Sequence, residues 1–356
     1  MINEKHIEIT NRLVETVDEK LREHYGKNQD EIIKKRVKDE LNAMKHSESV
    51  MDVAFLYEIS RYLKEKSYPW CLRGCTGSSF ILYLLGVSKG NPLPPHLYCP
   101  KCHDVLWKDC KDGFDLENAI CSDDQHLLTK DGHNIPWQSL WGYGKFMPSF
   151  DMDLPESLFE TFEDILKSER FSKYDELFKV DIPYPGKVKQ IKLGKISLLF
   201  NLKLDNVSDE FYLPSNQDID VKKLLYRWHE VAEIEEHENL PEPKDFADLC
   251  SLFRLLHSTG TWDEWSKMQL EEDRFNYSDL VSDREAVFHY LTCHGFLDKD
   301  AWKGMREVQL GHKLSTVTEE MKDANDSWIM DRCSRIKYLF PKAHAVERIL
   351  FNAKIL

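Results

Sequence analysis

The spacing of apolar and polar residues changes period along the chain. Between residues 32 and 63, apolar side chains recur every three or four positions among charged ones, which predicts amphipathic helices. From residue 196 to 204, Ile, Leu and Phe alternate with Ser, Asn and Lys, with Gly194 and Lys195 just before them, which predicts a β-hairpin over residues 187–205. The chain is therefore expected to be α+β. The segments expected to be helical are residues 1–66, 156–180 and 244–356.

A short strand, a glycine turn and a helix are predicted in succession near residue 70. Residues 68–72 are apolar and read as a strand, and a helix is expected from Ser79 to Leu85. In this context, backbone N–H groups can surround a phosphate, although the same turn is also common as a plain helix cap. The candidate phosphate-binding residues are Arg73, Gly74, Gly77, Ser78 and Ser79.

Composition indicates a globular protein and limits its partners. The 356 residues are 42% apolar and 12% aromatic, which suits two or three compact units. A net charge of −14 disfavours sequence-independent nucleic-acid binding without excluding a local basic groove. No apolar run reaches the roughly 18 residues of a membrane helix, and the first residues (MINEKH) lack a signal-peptide pattern, so we expect a cytoplasmic protein.

The cysteines suggest a metal site rather than disulfides, given the expected reducing compartment. Cys99 and Cys102 have the spacing of a zinc knuckle, which needs a second pair of ligands. Cys110, His103 and His126 lie nearby in the sequence and are available as substitute ligands.

Several motifs in one order resemble a known family. They are residues 73–79 (RGCTGSS), 91–96 (NPLPPH), 99–102 (CPKC), 113–116 (GFDL) and 130–136 (KDGHNIP). Their order and spacing resemble the palm of the PolC-type DNA polymerase III alpha subunit, the C-family replicase of low-GC Gram-positive bacteria. The resemblance resumes at residues 257–262 (HSTGTW) and is strong at residues 335–345 (RIKYLFPKAHA), which look like the family's fingers signature.

The resemblance implies an architecture. It implies a Polβ-like nucleotidyltransferase palm with a zinc-knuckle insertion and a helical fingers-like domain. The expected divisions are a helical lead-in over 1–66, a palm-like region over 67–155 with its knuckle at 96–126, a shortened palm or thumb-like region and linker over 156–243, and the fingers-like domain over 244–356.

The resemblance also implies site residues. Ser78, Ser79 and the Gly77 amide would contact nucleotide phosphates, and Arg73 would pair with them. Lys337, Lys342 and His344 are the retained residues of the fingers signature. The zinc ligands would be Cys99, Cys102, Cys121 and Asp124.

The chain departs from the family where catalysis is concentrated. Replicases carry the motif Pro-Asp-x-Asp. In this chain the aligned residues are Pro148, Ser149, Phe150 and Asp151, so Ser149 replaces the first aspartate and Asp151 matches the second. Asp151 and Asp153 form a displaced Asp-x-Asp pair on one strand face, and Asp205 is a candidate third carboxylate. In the segment that resembles the fingers domain, Gln309 and Leu310 occupy positions where the family has Arg and Lys, and His312 replaces another Lys.

Two functional hypotheses follow. In the first, the protein is a catalytically degenerate replicase relative that binds a nucleotide, DNA, or a replication or defence protein, in a phage, mobile-element or antiviral setting. In the second, it is a small, non-processive nucleotidyltransferase that uses Asp151 and Asp153 with Mg²⁺ or Mn²⁺. No clamp-binding region and no membrane partner are expected.

Overall fold

The computed structural model describes residues 4–27, 29–123, 125–178, 189–212, 219–234, 240–315 and 327–356. The α+β prediction is confirmed, since two small sheets are surrounded by helices. The helices are α1 (Glu4–Tyr25), α2 (Glu31–His46), α3 (Val50–Glu65), α4 (Phe80–Leu84), α5 (Gln138–Trp141), α6 (Phe162–Leu166), α7 (Val221–Tyr226), α8 (Trp228–Val231), α9 (Phe246–His257), α10 (Glu264–Glu271), α11 (Arg284–Cys293), α12 (Asp298–Gln309), α13 (Ser327–Arg335) and α14 (Lys342–Ile355). Within the described ranges, we find no helix with both the length and the apolar character needed to cross a bilayer.

The strands form two separate sheets. They are β1 (Cys71–Arg73), β2 (His96–Tyr98), β3 (Val105–Trp107), β4 (Thr129–Asp131), β5 (Phe150–Pro155), β6 (Gln190–Leu193) and β7 (Ile196–Leu202). The larger sheet has the order β1-β5-β7-β6, and the smaller one has the order β3-β2-β4. In the larger sheet, β5 runs antiparallel to β1 and parallel to β7.

The predicted hairpin is confirmed, with Gly194 at φ 58° in the turn between β6 and β7. The predicted strand at residues 68–72 begins later, at Cys71. The cause is the end of α3, where the Tyr68 N–H donates back to the Leu63 carbonyl (2.8 Å) and Ser67 takes φ 56°, so these residues close the helix.

The expected helical stretch over residues 156–180 is only partly α-helical. Helix α6 is flanked by 3₁₀ turns at Glu156–Thr161 and Ser172–Phe178. Residues 179–188 lie outside the described part of the chain.

The larger sheet shares its core with the N-terminal helices. Phe55 from α3, Phe80 from α4, and Phe150 and Phe200 from the sheet are all fully buried in one cluster. Most of α3 is buried, because it packs between α1 and the sheet region rather than along one face. The helices before β1 therefore share one hydrophobic core with the larger sheet.

The smaller sheet is fastened to this core by buried polar groups. The Asp131 carboxylate accepts hydrogen bonds from the Tyr83 hydroxyl (3.0 Å) and the Asn91 amide (2.6 Å). The same Asn91 amide donates to the Tyr25 hydroxyl (2.9 Å) on α1. Because these groups are satisfied by one another, the loop that carries the smaller sheet is held against α1 and α4.

The last helix joins the C-terminal helices to the larger sheet. Helix α14 packs on β1, and its buried Glu347 carboxylate accepts from the Ser88 hydroxyl (2.5 Å) and from the N–H groups of Lys89 (2.8 Å) and Gly90 (3.0 Å). A Cβ at Gly77 would lie 2.9 Å from Glu347 Cγ, so this approach requires glycine. Helix α14 thus covers the Gly-Ser turn directly.

Helix α9 starts against two carboxylates. Asp245 is its N-cap, and Asp115 accepts from the N–H groups of Phe246 (2.7 Å) and Ala247 (2.9 Å). Burial raises the pKa of Asp115 to about 7, and the negative charges of Asp112 and Asp245 add to the effect.

This pKa predicts a specific pH dependence of stability. Because the folded-state pKa of Asp115 lies above its unfolded value near 4, its protonation favours the folded state at low pH, and that contribution is lost as the pH rises through 7. The unfolding free energy of the wild type should therefore fall by about 2–3 kcal/mol more than that of Asp115→Asn between pH 5 and 8. Urea unfolding at both pH values measures this difference, and parallel pH profiles would contradict it.

Candidate functional site

The Gly-Ser turn lies between β1 and α4 as expected, but its serines are fully buried. Residues Thr76–Ser78 form a 3₁₀ turn, and Ser79 is the N-cap of α4, accepting from the Leu82 N–H (3.3 Å). The Ser78 hydroxyl has no hydrogen-bond partner among the residues that the structure describes. The turn therefore has its predicted local shape, but solvent does not reach the two side chains.

A carboxylate from α2 already occupies the donors of this turn. Glu40 is fully buried and accepts from the Ser79 hydroxyl (2.6 Å) and the Phe80 N–H (2.9 Å). The indole N–H of Trp141 (3.3 Å) and the Arg36 guanidinium (2.6 Å) complete its surroundings. The Ser79 hydroxyl, predicted to contact a phosphate, therefore contacts the carboxylate of Glu40 instead. No local pattern in the sequence predicts this contact, because Glu40 lies about 40 residues before Ser79.

The three candidate phosphate ligands that remain near the sheet behave differently. Arg73 is 37% exposed and points along β1, where its Nη1 lies 3.3 and 3.4 Å from the two oxygens of Asp153. Gly74 has φ 59°, and a Cβ there would lie 3.3 Å from Asp151 Oδ2, so glycine leaves space beside that carboxylate. Gly77 faces Glu347 instead.

Asp153 is neutralised by arginines. It is 2% exposed on β5, and Arg348 Nη1 from α14 approaches its Oδ2 to 3.9 Å in addition to the Arg73 contact. Burial raises the pKa of Asp153, while the two guanidinium groups and an Asn201 hydrogen bond oppose the rise. Arg348 was not predicted, although it lies one helical turn after His344 in the fingers signature.

Asp151 is contacted by hydroxyl groups. The Ser149 hydroxyl donates to its Oδ1 (3.2 Å), and its backbone N–H donates to Thr76 Oγ1 (2.8 Å). In register, Asp151 faces Arg73 on β1 and Ser197 on β7. Burial raises the pKa of Asp151, and hydrogen bonds from Ser197 and Ser149 oppose the rise.

Among the residues that the structure describes, Asp151 and Asp153 do not have the ligand set of a two-ion magnesium site. Such a site needs several carboxylates around two ions roughly 3.5–4 Å apart. In the described ranges, no group of three metal-ligating side chains forms around Asp151 and Asp153. Asp205 is exposed in the coil beyond the end of β7 at Leu202, where it does not extend the pair.

The predicted fingers residues are only partly near this site. His344 stacks on Phe340 (4.6 Å between ring centroids), and burial lowers its pKa to about 3, helped by the charges of Arg73 and Arg348. His344 is therefore neutral beside the arginines. Lys337 is exposed, and the Lys342 N–H donates to Glu285 (2.9 Å) at the start of α14.

The side chain of Gln309 is hydrogen-bonded to two arginines. Its amide oxygen accepts from Arg306 (2.7 Å) and from the fully buried Arg284 (3.2 Å). Arg284 also donates to the Ser139 carbonyl (2.9 Å). Gln309, which stands where a basic residue was expected, therefore accepts hydrogen bonds from two arginines, Arg284 on α11 and Arg306 on α12.

A metal centre is supported at the knuckle. The sulfur atoms of Cys99, Cys102 and Cys121 all lie within 4.8 Å of one another, and those of Cys102 and Cys121 are 3.6 Å apart. Tetrahedral zinc with bonds of about 2.3 Å places its sulfur ligands roughly 3.8 Å apart, so the three thiols fit one metal ion. The predicted fourth ligand, Asp124, lies outside the described residues.

The substitute ligands are less well placed. Cys110 contacts the Asp112 carbonyl (3.2 Å), and the His103 ring contacts the His24 carbonyl (3.0 Å). The Nε2 atom of His126 is buried without a partner in the described part of the chain, but this ring is not in the group that lies within 4.8 Å.

Comparison with known proteins gives one consistent result. Residues 11–182 match the family model of the bacterial DNA polymerase III alpha NTPase domain. The chain is 26% identical to the PolC-type DNA polymerase III of Thermotoga maritima, over 96% of this chain and 34% of the relative. It is 24% identical to the Clostridium perfringens protein, over 93% of this chain and 30% of the relative, and 24% identical to the Bacillus subtilis protein, over 96% and 32%.

The chain spans about a third of the length of these curated relatives. The alignment with the Thermotoga protein runs over 477 positions, more than the 356 residues here, so that relative contains segments with no counterpart in this chain.

The Glu40 contacts predict a large loss of stability on truncation. Glu40→Ala leaves the Ser79 hydroxyl, the Phe80 N–H and the Trp141 indole N–H buried without their acceptor, and leaves Arg36 without its carboxylate. We expect the unfolding free energy to fall by about 3–5 kcal/mol, measured by urea denaturation. Glu31→Ala on the exposed face of the same helix is the matched control and should change it by less than about 1 kcal/mol. Equal losses in the two variants would refute the anchoring role.

The cysteine cluster predicts bound metal. Purified wild-type protein should carry about one metal ion per chain by elemental analysis, and Cys99→Ser should lose it and melt at a lower temperature. Cys110→Ser removes a thiol outside the cluster and should keep the metal. A wild-type protein that takes up no metal after reconstitution under reducing conditions would contradict this prediction.

Proposed function

Because this chain is a relative of the PolC-type DNA polymerase III alpha subunit, we propose that it binds a nucleotide or DNA and no longer transfers nucleotides. The observation that carries this proposal is the set of neighbours of Asp151. Its cross-strand partners are Arg73 and Ser197, and Ser149 donates to it from two residues before. One carboxylate with serines around it is a poor holder for two divalent ions.

The second aspartate supports the same conclusion. Asp153 lies between two guanidinium groups that already compensate its charge. Magnesium would have to displace these partners from a nearly inaccessible carboxylate, and it dehydrates reluctantly. The geometry therefore favours a structural ion pair over a catalytic metal ligand.

Binding is proposed to use the part of Arg73 that faces solvent, with the exposed Lys337 as a second basic contact. Arg348 contributes less, because Glu233 also accepts from its guanidinium (2.5 Å). Because the chain has a net charge of −14 and few basic contacts are proposed, we expect it to bind a nucleotide or a short single strand rather than to hold a duplex tightly. A replication or defence protein in a phage, mobile element or antiviral system is the proposed partner class.

The proposed architecture follows the family. The β1-β5-β7-β6 sheet is proposed as a Polβ-like palm, the β3-β2-β4 sheet as its knuckle insertion, and the C-terminal helices as fingers-like. The proposed divisions remain 1–66, 67–155, 156–243 and 244–356. The proposed metal at the knuckle is structural zinc held by Cys99, Cys102, Cys121 and Asp124.

Primer extension and equilibrium binding together test this function. The wild type, with Mg²⁺ or Mn²⁺ and all deoxynucleoside triphosphates, should extend a primed template no faster than Asp151→Ala. A fluorescent primer-template or nucleotide should nevertheless bind in fluorescence anisotropy, and Arg73→Ala should weaken that binding by about tenfold, as expected for a charge-assisted hydrogen bond.

Arg274→Ala is the matched control, since Arg274 is exposed and paired with Glu272 (2.8 Å) away from the sheet, and it should bind normally. Metal-dependent extension that Asp151→Ala abolishes would instead establish the alternative, an active nucleotidyltransferase that uses Asp151 and Asp153. Absence of both extension and binding would reject both functions.

A further inference from the structure

A second cavity, away from the Asp151 site, is lined by cations. It has a volume of about 450 Å³ and lies between α1, α3 and the loop that follows α4. Its basic side chains are Lys20, His24, Arg61, Lys64 and Lys89, and none of the described residues that line it is Asp or Glu. We call it the basic cleft.

This group of positive charges lies in a chain with net charge −14. Two of the cations have carboxylate partners outside the lining, since Lys20 pairs with Glu23 (2.6 Å) and Glu58 lies 3.8 Å from Arg61. Lys64 forms no ion pair within the described ranges, and its Nζ lies 5.8 Å from the centre of the Tyr212 ring. Because none of the described lining residues is acidic, the charge of the lining itself is positive, which favours an anionic ligand.

Aromatic rings form the other part of the lining. Trp70 and Tyr212 stack with their ring centroids 5.4 Å apart. The Trp70 indole N–H donates to the Val87 carbonyl (2.8 Å), and the Tyr212 hydroxyl donates to the Tyr68 carbonyl (2.7 Å). Tyr57 and Tyr83 also line the cavity. Trp70 and Tyr83 are buried, so the ring surface open to a planar ligand belongs to the half-buried Tyr57 and Tyr212, and the Trp70 stack and the Tyr68 carbonyl hold the Tyr212 ring in place.

The floor of the cleft is rigid as well. The Lys89 ammonium lies 4.6 Å from the Phe211 ring centre and 4.9 Å from that of Trp70, and it donates to the Trp70 carbonyl (2.8 Å). Ser88 and the Lys89 N–H are bonded to Glu347 on α14. A ligand would therefore enter a site whose walls are already ordered, which lowers the entropy cost of binding.

From this combination we propose that the basic cleft binds a nucleoside monophosphate, with the base against the aromatic rings and the phosphate beside Lys20, Arg61 and Lys64. A cavity of about 450 Å³ lies within the range of roughly 300–1,000 Å³ that small-molecule sites occupy. The cleft shares no lining residue with the Asp151 site, so this proposal stands independently of the function proposed above.

Isothermal titration calorimetry on the full chain tests the proposal. Each common ribonucleoside 5′-monophosphate is titrated separately, with inorganic phosphate and the unphosphorylated nucleosides as probes of each half of the ligand. At least one monophosphate should bind at micromolar to millimolar concentration, and both partial ligands should bind at least about tenfold more weakly, because each loses one set of contacts.

Charge-reversal variants locate the site. Lys64→Glu and Lys20→Glu should each weaken binding by about tenfold or more. Lys66→Glu is the matched control, since Lys66 is exposed at the end of α3 but does not line the cleft, and its affinity should equal that of the wild type. Titrations repeated in an Arg73→Ala background remove the contribution that Arg73 makes to nucleotide binding at the sheet, so the binding that remains there and is lost on Lys64→Glu belongs to the cleft. Circular dichroism melts confirm that each variant is folded.

Three results would overturn the proposal. The first is that no monophosphate binds up to millimolar concentration. The second is that inorganic phosphate binds as tightly as the nucleotides, which would make the cleft a plain anion site. The third is that binding persists in Lys64→Glu and Lys20→Glu but is lost in Arg73→Ala, which would assign it to the sheet.

Discussion

The buried carboxylate of Glu40 organises the centre of this protein. It joins α2 to the start of α4 and to α5 through the Ser79 hydroxyl, the Phe80 N–H and the Trp141 indole. A carboxylate in a dry interior needs such a full set of donors, because each missing one leaves its desolvation uncompensated. The Gly-Ser turn therefore keeps its shape without any bound phosphate. Packing accounts for the glycine at Gly77 and for the serine at Ser79.

Charge compensation also determines the character of the sheet. Asp151 and Asp153 lie on the same face of β5, yet their surroundings differ. Asp153 is enclosed by Arg73 and Arg348, whereas Asp151 is contacted by hydroxyl groups. Both arrangements reduce the negative potential that would attract divalent cations. The side chains of this part of the sheet thus stabilise one another.

Helix α14 connects these regions. Glu347 is bonded to the loop after α4 and packs against Gly77, and the next residue, Arg348, reaches Asp153. The same helix therefore contacts the turn, the sheet and the floor of the basic cleft. Because buried polar contacts have few alternative arrangements, these three places are held in a fixed relation.

Local sequence determined the local elements. The alternation after Gly194 predicted the hairpin, and the apolar period predicted α2 and α3. The spacing of Cys99 and Cys102 predicted a cysteine cluster that could hold a metal ion. The order of motifs also predicted the similarity to PolC-type DNA polymerase III. These features depend on residues a few positions apart, where backbone geometry fixes which side chains meet.

Only the tertiary structure decided what those elements do. It paired Asp151 with Ser197 through a parallel strand, brought Glu40 to the Gly-Ser turn, and carried Arg348 to Asp153 from almost 200 residues away. Strand register and the partners of buried charges are set by packing of distant segments, and no local period in the sequence records them. The sequence therefore showed the resemblance to a replicase. Only the tertiary structure showed that Arg73 and Arg348 compensate the charge of Asp153.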